Sequence, residues 1–235
     1  MALTDNIISY YKLDGNSNDS VGSNDGSDTS ITYSDANGII NNGAGFNGSS
    51  SVISVGDIDS NYLTVSAWVK QVVGEPTAFV YKWYDGTIRS YRLDATAGKY
   101  RWEISRDGLE TLQVRSTTDY DDGSWVHLVG TYDGTYLKIY YNGSLETTSS
   151  TLSGTIYNNS ESTTIGITAF EGAIDEVGIW SRAITSTEVT ALYNSGSGFQ
   201  PIFSSIKSIN GLAKASIKSR NGLAIADIKS INGLE

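Results

Sequence analysis

Cysteine is absent from the 235 residues, which excludes a disulfide framework and any thiolate metal site. Histidine occurs once, as His127. A lone histidine in the middle of an apolar run reads as a packed residue rather than a general base. No apolar run approaches the roughly 20 residues that a membrane-spanning helix needs. The opening stretch MALTDNIISYYKLDG has neither a basic nor a strongly apolar segment, so no secretory signal is expected. Basic residues are also scarce, with 16 Lys and Arg against 26 Asp and Glu and a net charge of −10. That balance argues against a nucleic-acid backbone as partner. Proline occurs only twice.

What is present is glycine (25 residues) and a 39% hydrophobic fraction made mostly of Val, Ile, Tyr and Trp. That mixture fits short strands separated by glycine turns, and the length fits one large all-β domain of roughly 200 residues with an appendage. The chain is organised around Ser124 to Gly143, SWVHLVGTYDGTYLKIYYNG. Val126, Leu128, Val129 and Tyr132 run up to Asp133-Gly134, and Leu137, Ile139 and Tyr141 run away from it. A two-residue Asp-Gly turn there places Val126 opposite Tyr141, Leu128 opposite Ile139 and His127 opposite Tyr140. Asn142-Gly143 then reverses the chain again into Ser144 to Thr148, making a meander.

Strands are also expected over Ile7 to Leu13, Ser51 to Val55, Leu63 to Val69, Thr77 to Trp83, Ile88 to Leu93, Tyr100 to Ile104, Thr111 to Arg115, Ser162 to Ile167 and Gly172 to Trp180. Turns at Asp85-Gly86, Ala97-Gly98 and Asp107-Gly108 separate the middle ones. One helix is expected over Ser186 to Asn194, because Thr185 and Glu188 form a capping box ahead of Val189, Leu192 and Tyr193. A single short helix among about a dozen strands indicates a β-sandwich or jelly roll.

After Phe199-Gln200-Pro201 the sequence becomes periodic. Ile206 to Leu212, Ile217 to Leu223 and Ile228 to Leu234 repeat the pattern IKSxNGL every 11 residues. An 11-residue period is compatible with a right-handed coiled coil. An Asn-Gly in every repeat, at roughly 1 kcal/mol per glycine, argues instead for short strands joined by turns. Residues 204 to 235 carry five basic residues (Lys207, Lys214, Lys218, Arg220, Lys229) against Asp227 and Glu235, a net +3 that leaves −13 on the rest. Two regions are therefore expected, 1–198 and 199–235. The narrow apolar faces of the tail have little to bury unless paired with another chain, so its assembly or anchoring positions are Ile206, Asn210, Gly211, Leu212, Ile217, Asn221, Gly222, Leu223, Ile228, Asn232, Gly233 and Leu234.

YYKLDGNSNDSVGSNDG, GAGFNGSSSVISV, LTVSAWVK, the 124–143 hairpin, GAIDEVGIWSRAIT and STEVTALYN occur in an order that resembles laminin-G-like, concanavalin-type jelly-roll domains. The resemblance covers about residues 3 to 198. It implies an antiparallel β-sandwich with one short helix, and with the repeat read as a short β tail the expected fold class is all-β. The repeat in turn resembles those of bacteriophage structural proteins.

Calcium favours six to eight oxygen ligands from a flexible loop, and Asp14, Asp19, Asn24 and Asp25 lie in such a loop. In the resembled family the loop Asp and the Asp of the G-x-IDEV segment meet at a structural calcium, which implies Asp19 and Asp175, with Asn24 beside them. For carbohydrate, aromatic platforms and polar groups are needed together. Trp83, Tyr84, Asp85, Tyr91, Trp102, Arg106 and Tyr120, the last with Asp121 and Asp122, provide them. Trp68, Trp125 and Trp180 lie inside strand motifs and read as core, whereas Trp83, beside a turn, is expected to be exposed. Neither Glu103 to Asp107 nor Asp175-Glu176 has the carboxylate spacing of the glycosidases of this fold, so no catalytic residues are assigned. The sequence reads as a displayed, non-catalytic module on a virion surface, or outside a cell without a signal peptide. It is expected to bind host-surface glycan and to be anchored or oligomerised by its repeat on another structural protein. A purely structural decoration protein and a polysaccharide-degrading enzyme are the alternatives.

Overall fold

The computed structural model describes residues 2–72, 77–84, 88–120 and 123–201, and four two-residue strands between 208 and 224. Its contacts divide the chain into two units, Met1–Pro201 and Ile202–Glu235. In the first unit the strands are β1 (Ile7–Tyr11), β2 (Ser27–Thr29), β3 (Thr32–Ser34), β4 (Gly43–Asn47), β5 (Val52–Ser54), β6 (Leu63–Gln71), β7 (Thr77–Trp83) and β8 (Arg89–Thr96). They continue with β9 (Lys99–Ser105), β10 (Thr111–Asp119), β11 (Val126–Tyr132), β12 (Leu137–Tyr141), β13 (Ser144–Thr148), β14 (Thr164–Ile165) and β15 (Glu171–Trp180), before α1 (Ser186–Tyr193).

Two antiparallel sheets form a sandwich. The first runs β13-β12-β11-β6-β15-β4-β3, with β1 also paired to β15, and the second runs β10-β9-β8-β7-β14-β5-β2. The all-β jelly roll with one short helix is thus the fold of residues 2–201. Period-two alternation makes the core. Leu63, Val65, Ala67 and Val69 of β6 and Leu128 and Tyr132 of β11 meet Tyr91, Leu93 and Ala95 of β8 and Tyr100, Trp102 and Ile104 of β9, all buried. Gly130 has a packing reason: a Cβ there would lie 2.3 Å from Trp102 Cδ2, so only glycine lets the indole lie against β11. Lys82 is also fully buried. Its ammonium is held by Asp57, Asp59 and the Asn159 carbonyl, so the two carboxylates meet the charge that is taken out of water.

The outer side of the first sheet is covered by α1. The capping box forms as expected, with Thr185 Oγ1 accepting from Glu188 N and the Glu188 side chain accepting from Thr185 N. Tyr193 stacks on Trp68 at 5.7 Å. His127 lies in the same layer, 5.1 Å from Trp68. It is buried, bonded to Ser66 Oγ through Nε2, and burial drives its pKa down to about 3. Trp68 and Trp180 are buried as expected, but Trp125, just ahead of β11, is only half-buried.

The central hairpin differs from expectation in register. Leu128 pairs with Tyr141, Gly130 with Ile139 and Tyr132 with Leu137, two residues displaced from the predicted pairing. The cause is Asp133. Its Oδ1 accepts from Thr135 N and Tyr136 N at 2.8 and 2.7 Å, closing a four-residue loop in place of the two-residue turn. A shift of two keeps every side chain on its face. The next turn is the expected two-residue one, with Asn142 and Gly143 both at positive φ (47° and 79°) and Tyr141 paired to Ser144.

The second unit contains two hairpins. Ser208–Ile209 pairs with Leu212–Ala213, and Ser219–Arg220 pairs with Leu223–Ala224. They bracket the Asn-Gly dipeptides of the first two repeats. Of the assembly positions, Leu212 and Leu223 fall on these strands. Ile206, Asn210, Gly211, Ile217, Asn221, Gly222, Ile228, Asn232, Gly233 and Leu234 lie outside the described residues. No helix among the described residues is long and apolar enough to cross a membrane.

Candidate functional site

The alternation that buries Tyr91, Leu93, Tyr100 and Trp102 sends Arg92, Asp94, Arg101 and Glu103 to the outer face of the second sheet. Strand pairing lines up one row across all seven strands: Ser27, Ser54, Thr164, Tyr81, Arg92, Glu103 and Gln113. Every member carries a hydrogen-bonding side chain. Ser27 and Gln113 at the ends are exposed, Glu103 is buried and the others are half-buried.

At the centre of this face four charges hold one another. Arg92 Nε lies 2.7 Å from Glu103 Oε2, and its Nη2 lies 2.6 Å from the same oxygen. Arg101 meets Asp94 with both Nε and Nη2, at 2.9 and 2.5 Å. Cross-links of 3.3 Å (Arg92 to Asp94) and 3.2 Å (Arg101 to Glu103) close the quartet. The paired, planar geometry is what arginine supplies and lysine cannot. Burial pushes the Asp94 carboxyl up, against the opposing pull of Arg101 and Arg92.

Trp83 belongs to this face but does not present a free ring. It is 4% exposed, with the Arg92 guanidinium 4.4 Å from the ring centroid and that of Arg89 at 5.8 Å. The expectation of an exposed Trp83 is corrected: a strand bulge between Lys82 and Trp83 sets the indole beneath two arginines, a cation–π arrangement. Tyr84 is half-buried, packed edge-on to Tyr81 at 5.9 Å and donating to the Ser162 carbonyl. Tyr91 and Trp102 are 0% exposed. Both point between the sheets, and Tyr91 Oη is bonded to Thr163 Oγ1 and the Ile58 carbonyl, so neither ring is a platform for an external ligand. Arg106 is exposed beyond the end of β9 and donates to the Ser153 carbonyl. Tyr120 follows the far end of β10 and is half-buried. The antiparallel register thus places Arg106 and Tyr120 at opposite ends of the sheet. Asp85 lies outside the described residues.

Of the residues singled out in the sequence, Trp83 and Tyr84 lie beside this polar face. The sequence reading passed over Tyr81, Arg92, Asp94, Arg101 and Glu103. Their signal was present as Arg-x-Asp in β8 and Arg-x-Glu in β9, a charged residue at every second position opposite an aromatic or apolar one. Only the pairing of β8 with β9 brings them together.

The expected calcium ligands do not form a cradle. Asp19 Oδ1 accepts from the backbone N–H groups of Tyr10 and Val21 at 3.0 Å, and Oδ2 accepts from Asn24 N at 3.3 Å. Asp175 is buried, with Oδ2 accepting from Ile39 and Ile40 and Oδ1 from Glu176 N. Burial raises its pKa to about 8, against the opposing effect of those donors. Asn24 donates from Nδ2 to Ser9 Oγ. Asp19 and Asp175 share no partner, and the described residues contain no group of three or more His, Cys, Asp or Glu placed to hold a metal ion. Carboxylates turned to N–H donors in this way cap turns and do not fit the ion. A cation would have to displace those N–H groups, and each displaced N–H would be left without its acceptor.

A cleft of about 330 Å³ lies on the other sheet, lined by Thr32, Asn37, Asn47, Lys70 and Glu171 among others.

Comparison with known proteins places the geometry in a family. The model of the concanavalin A-like lectin/glucanases superfamily matches residues 42–190. Among curated proteins none matches. Among solved structures, domain 4 of the extracellular arabinanase AbnA from Geobacillus stearothermophilus, in complex with arabinotriose, is similar at a TM-score of 0.66 and 25% identity, covering 78% of this chain and 96% of that one. The binding domain of Paraclostridial mosquitocidal protein 1 gives a TM-score of 0.67 at 16% identity, over 82% of this chain and 52% of that chain. A structure of botulinum neurotoxin type C, whose cell entry depends on interaction with two ganglioside molecules, gives 0.64 at 16%, over 81% and 51%. The chain spans about half the length of those two toxin chains, and at 16% identity they bear on the fold alone. The match over residues 42–190 and the sandwich agree: the chain belongs to the concanavalin A-like lectin/glucanases superfamily.

Proposed function

We propose that this protein is a non-catalytic, glycan-binding module, and that the outer face of its second sheet takes the saccharide. The observation that carries this reading is the seven-residue polar row centred on Tyr81, Arg92 and Glu103. It combines oriented acceptors, oriented donors and an aromatic edge along an extended line, which is what successive sugar rings require. The reading is supported by membership of a lectin and glucanase superfamily and by the arabinotriose complex of a similar domain. Both carboxylates at the centre are committed to arginines, which suits holding a ligand better than transferring a proton.

In the same proposal, residues 202–235 attach the module to a virion or other structural protein, or to further copies of itself, which displays the sheet at a particle surface. This part rests on the 11-residue repeat and its contrasting charge. The test is a glycan array probed with the full chain, followed by Tyr81→Ala and Gln113→Ala. Binding to one glycan class, weakened about tenfold by either substitution with the melting temperature retained, is the expected result. An array and a host-cell adsorption assay that both stay blank would remove the glycan reading.

A further inference from the structure

We infer that the saccharide taken by this face is an acidic one, and that Arg89 receives its anionic group. The inference rests on the glycan reading above and specifies its ligand class.

Five of the seven arginines in the chain (Arg89, Arg92, Arg101, Arg106 and Arg115) fall between residues 89 and 115. With Lys99, and against Asp94, Glu103, Asp107 and Glu110, that segment carries +2 in a chain of −10. Within that stretch Arg89 and Arg92 come together on the Trp83 ring, and a local excess of positive charge on an otherwise acidic protein favours an anionic ligand there. The internal pairings account for Arg92 and Arg101, whose charges are met by Glu103 and Asp94. Arg89 is different. It sits across from Trp83 in the β7–β8 pair, beside the guanidinium of Arg92 on the same indole. Its Nη1 donates to the Leu109 carbonyl at 3.0 Å, its Nε is buried with no hydrogen-bond partner, and no carboxylate among the described residues pairs with it.

Two guanidinium groups on one ring, one of them without a counter-charge among the described residues, form an incomplete arrangement. The edge of Arg89 formed by Nε and Nη2 is the edge that matches two oxygens of a carboxylate or sulfate. An anion seated there completes the set: it satisfies the buried Nε–H, offsets the repulsion between Arg89 and Arg92, and lies beside the polar row, three residues along β8 from its member Arg92. A neutral sugar can accept an ordinary hydrogen bond from Arg89 but gains none of the charge-assisted pairing.

The test uses the full chain on an array of neutral, carboxylated (uronic and sialic) and sulfated glycans, followed by titration calorimetry with the best ligand and its uncharged counterpart, at two salt concentrations. The expected result is a preference of at least tenfold for the charged form that weakens with salt. Arg89→Gln should abolish the preference while leaving residual binding of the neutral counterpart, and Arg89→Lys should keep part of it. Retained melting temperature in both variants shows that the loss is not one of folding. Whether the carboxylated or the sulfated arm responds identifies the anion, and either one supports the inference. Equal binding of charged and neutral forms, or a preference that survives Arg89→Gln, overturns it while leaving the glycan reading intact. Binding to no glycan at all overturns both.

Discussion

Removing the Asp94 carboxylate would leave Arg101, which is 9% exposed, with only the 3.2 Å contact to Glu103 for its charge. Breaking one partner out of a buried ion pair typically costs about 3–5 kcal/mol, because the charge left behind is uncompensated. Asp94→Ala should therefore lower the unfolding free energy by about 3 kcal/mol in urea titration. Asp94→Asn, which keeps an acceptor, should cost less. If the alanine variant loses under 1 kcal/mol, the quartet is a screened surface network and not the rigid centre of the face. The same residue shows where single-residue reading fails. Asp94 sits in Arg-Leu-Asp, an unremarkable piece of a half-buried strand, and its importance depends on Arg101 seven positions away. Trp83 fails in the opposite sense: a tryptophan beside a turn invites an exposed reading, and the bulge after Lys82 turns it under Arg92 instead.

Helix α1 provides the clearest element-scale case. Glu188 is held to about 2 by the bidentate Arg182 guanidinium, with Thr185 adding further hydrogen bonds. Its ordinary carboxyl value is 4.5. A folded-state value below the unfolded one gives stability that is present above about pH 4.5 and lost as the pH falls towards 2. The amount at stake is on the order of 2 kcal/mol. The melting temperature of the native chain should fall through that window more steeply than that of Glu188→Gln, which starts lower and stays flatter. Parallel curves would show that Arg182 does not select the ionised form. The capping box was readable in the sequence because Thr185 and Glu188 are three residues apart, and the helix follows from local chemistry. The Asp133 loop was half-readable: a turn was evident, but its length depended on a side-chain acceptor that composition does not reveal. Strands β2 and β3 were missed because SDT and TYS are three-residue edge strands, the first fully exposed and the second half-buried, with no apolar alternation. The row from Ser27 to Gln113 was not readable at all, since it draws on seven strands whose order in the sheet is not their order in the chain.

At the scale of the whole molecule, the division at Pro201 makes a prediction about where the chain can be cut. Gln200 belongs to the sandwich. Its Nε2 donates to Glu176 Oε1 at 2.6 Å and to Asp14 Oδ2 at 3.3 Å, and Glu176 also accepts from Tyr10 Oη. Burial, partly offset by those two donors, raises the Glu176 carboxyl to about 7, so loss of one donor leaves a buried acceptor unmet, at about 1–3 kcal/mol. A chain ending at Pro201 should melt close to the full-length protein, whereas one ending at Gly198 should melt several degrees lower. The same pair of proteins tests the proposed role of the repeat. If residues 202–235 assemble the module, the full chain will have an oligomeric mass by light scattering and the chain ending at Pro201 a monomeric one, with glycan binding weakened on arrays for want of multivalency but unchanged per site in calorimetry. Equal masses would exclude self-assembly and direct the search to a foreign structural protein. A chain ending at Pro201 that melts far below the full-length protein would instead show that the repeat contributes to the stability of the sandwich itself.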